Sequence, residues 1–171
     1  LSLPAENSAV RVKNNVGIHG FNDLIQGQIS CDPLLAQEDF TIFRKDGLFA
    51  YQLAVVADDI EQNITHIVRG CDLLEPTCRQ LSFYHILNSV APHYAHVPLA
   101  ITDQGYKLSK QNKAPAIDLK RPQPSLISAL EFLGQHPPTE LVQASVEEII
   151  QWATTHWQLN LVPKKSQIKI C

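Results

Sequence analysis

The stretch NITHIVRGCDLLEPTCRQLSFYHILNSVAPHYAHVPLAIT, residues 63–102, decides the fold. Asn63–Gly70 is short and β-branched, which predicts a strand. Glu75–Val90 follows, with Pro76 suited to a first helical turn and Phe83, Ile86, Leu87 and Val90 on one face, which predicts a helix that buries that face. His96–Thr102 is again short and apolar, a second strand. Strand, helix and strand in this order indicate an α/β domain.

Upstream, residues 39–47 (DFTIFRKDG) read as a strand ending in an Asp-Gly turn. Residues 48–60 (LFAYQLAVVADDI) suit either a buried strand or a buried helix. The first 38 residues read as short strands broken by turns, with Val10, Val12, Val16 and Ile18 alternating around Asn14–Asn15. Downstream, residues 121–134 form a helix with Leu126, Ala129, Leu130 and Leu133 on one side and Gly134 as terminator. Residues 145–157 form another, opened by the capping box of Ser145 and Glu148. The tail to Cys171 has no clear pattern. These signals place an α/β part over residues 1–116 and an α-helical appendage over 117–171.

Composition narrows the function. Of 171 residues, 44% are apolar and 18% charged, a globular balance, and the net charge of −3 argues against a generally basic nucleic-acid-binding surface. Lys113, Lys120, Arg121, Lys164, Lys165 and Lys169 read as solvated cations rather than a phosphate track. No apolar run approaches the ~20 residues needed to cross a bilayer, so a membrane is not an expected partner. The chain has no methionine and begins at Leu1, so it is expected to be part of a longer product. Cys31, Cys71, Cys78 and Cys171 are scattered, without a C-x-x-C pair. They read as packing residues or free thiols, with a disulfide or a metal set as the alternatives.

Several side chains carry potential chemistry. Lys107, Ser109 and Lys110 fall in one loop just after a strand, where ligands of open α/β sheets bind. Lysine ammonium groups and a hydroxyl there suit phosphate oxygens, or simply a solvated turn. Arg69 closes an apolar strand and needs an acidic partner: Asp58, Asp59 or a ligand carboxylate. Tyr51 places a hydroxyl in an apolar segment, and a core tyrosine is the plain reading. Asp58–Asp59 reads as a helix end or turn. His93 and His96 have a spacing that could hold a metal, but no nearby Cys supports one.

The order DG, Tyr, DD, T-H-x-V-R-G, Y-x-H-x-P-L, K-L-S-K, running from about Asp39 to Ala116, resembles the catalytic domain of glutamyl-type class I aminoacyl-tRNA synthetases. The likeness extends over nearly the whole chain for the truncated branch whose members attach glutamate to queuosine in the anticodon of tRNA(Asp). LAQEDFTIFRKDGLFAYQLAVV, RGCDLLEPTCRQLSFY and KLSKQNKAPAI carry it. The resemblance implies a Rossmann-type α/β catalytic domain, of which this chain is the second half, followed by a small helical subdomain.

It also implies a reaction. Glutamate is activated by ATP with Mg, giving glutamyl-adenylate, and is then transferred to the tRNA. By the match, KLSKQ (Lys107–Gln111) stands for the K-M-S-K-S signature. Lys110 binds ATP and stabilises its phosphates, while Lys107 and Ser109 support the loop. Tyr51 and Arg69 bind L-glutamate. Leu73 stands where ordinary glutamyl enzymes carry His, and Gln52 stands where both groups carry Asn. The His-Ile-Gly-His type motif, most glutamate contacts and the zinc ligands of the family fall outside this chain. The fragment alone is therefore expected to be inactive, and the whole enzyme to be a cytoplasmic monomer. A fragment of an ordinary glutamyl-tRNA synthetase and a non-catalytic RNA-binding remnant are the competing readings.

Overall fold

The computed structural model describes residues 8–109, 114 and 116–170. The chain divides into two compact units, one ending at His96 and the other beginning at Val97.

In the first unit, β1 (Val10–Val12) pairs antiparallel with β4 (Phe40–Phe43). A four-stranded sheet has the order β3-β2-β6-β5, from β2 (Gly20–Asp23), β3 (Gly27–Ser30), β5 (His66–Gly70) and β6 (His93–Val97). β2 and β3 form the hairpin, closed at residues 24–26, so the tight turn lies beyond Asn14–Asn15. Asn14 instead buries its side chain and donates to the Ala36 carbonyl at 2.7 Å. β2 runs parallel to β6, with Asp23 opposite Tyr94. Helix α1 (Pro33–Gln37) is short and is capped by the Asp32 side chain.

Residues 51–61 resolve the ambiguity between strand and helix: they form α2 (Tyr51–Glu61). Leu53, Val56 and Ile60 recur at helical spacing and pack on the cluster of Phe40, Val56, Phe83 and Tyr84. Asn63, at φ 55°, turns the chain out of the helix. Fully burying Val56 or Phe83 contributes about 1.5–3 kcal/mol each.

Helix α3 (Thr77–Ile86) forms as expected, but its buried face differs. Phe83 is buried, whereas Ile86 and Leu87 are exposed and Val90 is 93% exposed. The helix stops at Ile86, and Asn88 at φ 52° redirects the chain, so Val90 never joins the helical face. The buried face is instead Thr77, Cys78, Gln80, Ser82, Phe83 and Tyr84.

A further correction concerns the cysteines. Cys31, after β3, and Cys78, in the first turn of α3, form a disulfide with Cα atoms 6.2 Å apart. The sequence separation of 47 hid this pairing from the sequence. Cys71 is a free, buried thiol whose S–H donates to the His96 carbonyl at 3.6 Å.

In the second unit, Pro98 splits the expected 96–102 strand, because it has no N–H for a ladder. After it, β7 (Leu99–Ile101) runs parallel to β8 (Gln167–Lys169), which orders the tail. Helices α4 (Gln123–Phe132) and α5 (Val146–His156) follow the predicted spans closely. At α5 the Ser145 side chain accepts from the Glu148 N–H at 3.2 Å, and the Glu148 carboxylate accepts from the Ser145 N–H at 2.7 Å. Leu130, Ile149 and Val162 are buried here. Gly134, at φ 73°, ends α4 against the Leu161 carbonyl.

Candidate functional site

Arg69 is the centre of a polar cluster in the first unit. Three elements aim acceptors at its guanidinium. From β6, His96 Nε2 accepts from Arg69 Nε–H at 3.0 Å. From the turn after β5, the Leu73 carbonyl accepts from Nη2 at 3.3 Å. From α3, Thr77 Oγ1 accepts at 2.8 Å and Gln80 Oε1 at 2.7 Å, both from Nη2. The Tyr94 ring lies under the guanidinium, 4.9 Å from its centre. Burial draws the Arg69 pKa down from its ordinary value, and the nearby Tyr94 and Tyr51 phenols and Asp59 oppose that shift.

The cluster continues on both sides. Gln80 Nε2 donates to Gln52 Oε1 at 2.6 Å, so the longer amide at position 52 has a definite partner. Beyond His96 lies Asp23. Its Oδ1 accepts from the backbone N–H of Ile25, Gln26 and His96 at 2.8–3.1 Å, and its Oδ2 from His96 Nδ1 at 2.6 Å. Burial alone would raise the Asp23 carboxyl; the hydrogen bonds from Gln26, His96 and Ile25 outweigh it and leave the pKa below 3.8.

His96 is neutral. Its Nε2 carries the lone pair that Arg69 meets, so its proton sits on Nδ1 and points at Asp23. Burial pushes its pKa below 6.5, and the Arg69 charge acts in the same direction, against Asp23. The contact with Asp23 is thus a hydrogen bond to a carboxylate rather than an ion pair.

The structure brings Tyr51 and Arg69 into one neighbourhood: Tyr51 opens α2 directly before Gln52, and its phenol lies within electrostatic reach of the guanidinium. Tyr51 is 59% exposed, which removes the reading as a core tyrosine. Among the described residues no carboxylate hydrogen-bonds Arg69. Asp58 and Asp59 instead lie in the last turns of α2, where Asp59 accepts from the Tyr84 hydroxyl at 3.3 Å. Burial raises the Asp59 pKa. His93 and His96 point to opposite faces of β6: His93 is exposed and meets the His66 ring at 5.1 Å in a tilted contact.

In the second unit the lysine loop is a hairpin off β7. Lys107 pairs across from Ile101, the Leu108 N–H donates to the Ala100 carbonyl at 2.8 Å, and Gly105 takes φ 83° at the tip. Lys107 is exposed, and the Ser109 carbonyl accepts from the Ala114 N–H at 3.1 Å. Lys110, Gln111 and Lys113 lie outside the described residues.

Sequence reasoning missed Asp23, Thr77 and Gln80, and the roles of His96 and Gln52. One signal was available: a histidine inside an apolar strand, since a buried imidazole needs a partner on each nitrogen.

Comparison with known proteins gives a consistent picture. Residues 3–167 match the family model described as tRNA synthetases class I (E and Q), catalytic domain. The glutamyl-Q tRNA(Asp) synthetase of Colwellia psychrerythraea is 63% identical over 171 residues, covering 97% of this chain and 54% of that protein. That of Photobacterium profundum is 52% identical over 168 residues, covering 98% and 54%. The chain thus spans about half the length of these relatives. Among solved structures, the glutamate tRNA ligase of Elizabethkingia meningosepticum, in complex with its amino acid, superposes with a TM-score of 0.65 at 27% identity, covering 91% of this chain and 34% of that one. The chain belongs to the catalytic-domain family of the class I (E and Q) tRNA synthetases.

Proposed function

We propose that this chain is the carboxyl-terminal portion of a glutamyl-Q tRNA(Asp) synthetase, a cytoplasmic ligase that activates L-glutamate with ATP and transfers it to queuosine in the tRNA(Asp) anticodon. Its catalytic part runs through Ala116, and the helices beyond form an appendage. The observation that carries this reading is the Arg69 guanidinium, held by four neighbours and paired with no carboxylate among the described residues, beside the exposed Tyr51. A fixed guanidinium with unused N–H groups is suited to a carboxylate ligand, and glutamate has two. The names of the relatives, at 63% and 52% identity, support tRNA(Asp) as the acceptor.

In the first step a glutamate carboxylate oxygen attacks the α-phosphorus of ATP, which enters with its Mg2+, and pyrophosphate leaves. Arg69 and Tyr51 hold glutamate. Lys110 meets the phosphate charge that grows on the leaving group, and Lys107 and Ser109 shape the loop that carries it. The acyl group then passes from the adenylate to queuosine and AMP departs. The portion of the relatives' length that this chain does not span supplies the remaining contacts, and the working enzyme is a monomer.

The test is an enzyme assembled from this chain and the amino-terminal portion of the Colwellia relative, given labelled glutamate, ATP and tRNA(Asp) with or without queuosine. Queuosine-dependent labelling is expected, lost in Lys110→Ala and Arg69→Ala, and absent with the 171-residue chain alone. Labelling of tRNA(Glu) at its 3′ end would defeat the proposal in favour of an ordinary glutamyl-tRNA synthetase.

A further inference from the structure

We propose that His96, oriented by Asp23, is a positioning residue for the anion-binding guanidinium of Arg69. This rests on the reading of Arg69 as a glutamate ligand. A free arginine side chain rotates about its Nε, so the edge that meets a carboxylate is not fixed. Here Nε–H is tied to His96 at 3.0 Å and Nη2 to Leu73, Thr77 and Gln80. Both N–H groups of Nη1 have no partner among the described residues, and they form the one edge left for a ligand.

The tie works only with one histidine tautomer. Nε2 accepts from Arg69 only if its lone pair is free, and Asp23 enforces that state by accepting the hydrogen bond from Nδ1–H at 2.6 Å, which keeps the proton on Nδ1. Asp23 is itself fixed by three backbone N–H groups from β2, its turn and β6. The Asp23 and His96 side chains are both completely buried, while the chain they start ends on a half-buried guanidinium. A pair that served packing alone could be replaced by apolar side chains of similar volume at little cost. What only Asp23 and His96 supply is an acceptor with a fixed direction at Arg69 Nε.

Two amides separate positioning from packing. In His96→Asn the side-chain N–H takes the place of Nδ1 and keeps Asp23 satisfied, but no acceptor reaches Arg69. In His96→Gln the side-chain oxygen falls near Nε2 and restores it. The first measurement is the side-chain 15N spectrum of the 171-residue chain. Arg69 Nε–H should give a resonance that exchanges slowly with solvent and persists in His96→Gln; exchange as fast as that of free arginine would overturn the proposal, whatever the variants do. The second measurement is glutamate-dependent adenylate formation by the assembled enzyme. His96→Asn should raise the KM for glutamate about 10-fold or more with the KM for ATP unchanged, and His96→Gln should recover most of it. If Arg69→Ala raises the glutamate KM and His96→Asn does not, the positioning role is wrong and the ligand reading stands. If Arg69→Ala itself leaves the glutamate KM unchanged, the ligand reading is wrong and the positioning role falls with it.

Discussion

Gln80 gives its amide N–H to Gln52 and its carbonyl oxygen to Arg69, so α2 and β5 are joined through one buried side chain of α3. The first bond decides the second: turned the other way, the Gln80 amide would face the guanidinium with a donor. Replacing Gln80 by Leu removes both bonds and leaves the Gln52 oxygen and one Arg69 N–H unsatisfied. The expected loss is about 2–3 kcal/mol of unfolding free energy, because one of the lost bonds is to a charged group. Urea unfolding of the variant, followed by circular dichroism, measures it.

Acid should weaken the first unit in two stages. The native pKa of His96 lies below 6.5 because of burial, so between the two values the unfolded chain binds a proton that the native chain does not. The stability is complete above pH 6.5 and declines as pH falls toward the native value. Asp23, also depressed, adds a second loss below pH 3.8. The groups facing His96 are the Asp23 carboxylate, the Arg69 guanidinium, the Thr77 hydroxyl and the Tyr94 ring. His96→Asn, which removes the titrating imidazole and keeps a donor on Asp23, should flatten the first stage and leave the second; melting temperatures from pH 3 to 8 would show it, and an unchanged slope near pH 6 would contradict it.

Reduction should loosen the same unit from another side. The Cys31–Cys78 bond closes a loop of 47 residues between the β2–β3 hairpin and α3. Loss of such a crosslink costs about 2–4 kcal/mol. The midpoint in urea should fall on adding a dithiol reductant, and a Cys31→Ala/Cys78→Ala variant should no longer respond to it. Non-reducing peptide mapping should recover the two cysteines in one linked fragment.

Two glycines of the second unit should respond differently to the same change. Gly134 and Gly105 both have positive φ, at 73° and 83°. A Cβ on Gly134 would lie 2.4 Å from the Leu161 carbonyl oxygen, whereas one on Gly105 meets nothing within 4 Å. Gly105→Ala should cost only the left-handed backbone penalty of about 1–2 kcal/mol. Gly134→Ala adds displacement of the turn at Leu161, for a total of about 2–5 kcal/mol. Thermal melts of the two variants compare them directly.

Much of the architecture could be read from local pattern, and the places where reading failed share a cause. Ser145 and Glu148 announced their helix because a capping box is a contact between near neighbours. Residues 51–61 stayed ambiguous because a segment apolar on several sides satisfies either period until its partners are known. Val90 was misplaced on a helical face because the break came from Asn88 adopting a left-handed conformation, which most asparagines do not. The family signature singled out Arg69 and Tyr51 as the proposed glutamate contacts, but the residues that hold Arg69 were not legible in the sequence. Asp23 and His96 are 73 positions apart and Gln80 and Gln52 are 28 apart, and each is unremarkable in its own segment. Only the parallel pairing of β2 with β6 puts the aspartate beside the histidine.

The buried Cys71 thiol offers a built-in gauge of this region. It sits next to Gly70 in sequence, donates to the His96 backbone, and burial pushes its pKa up to about 11, so at neutral pH it is both shielded and unreactive in the native chain. Alkylating reagents can therefore modify it only when the turn that follows β5 opens. The labelling rate at Cys71, read by mass spectrometry, times those openings without any engineered probe, and its slowing by an added carboxylic acid would register occupancy of the nearby Arg69 in β5.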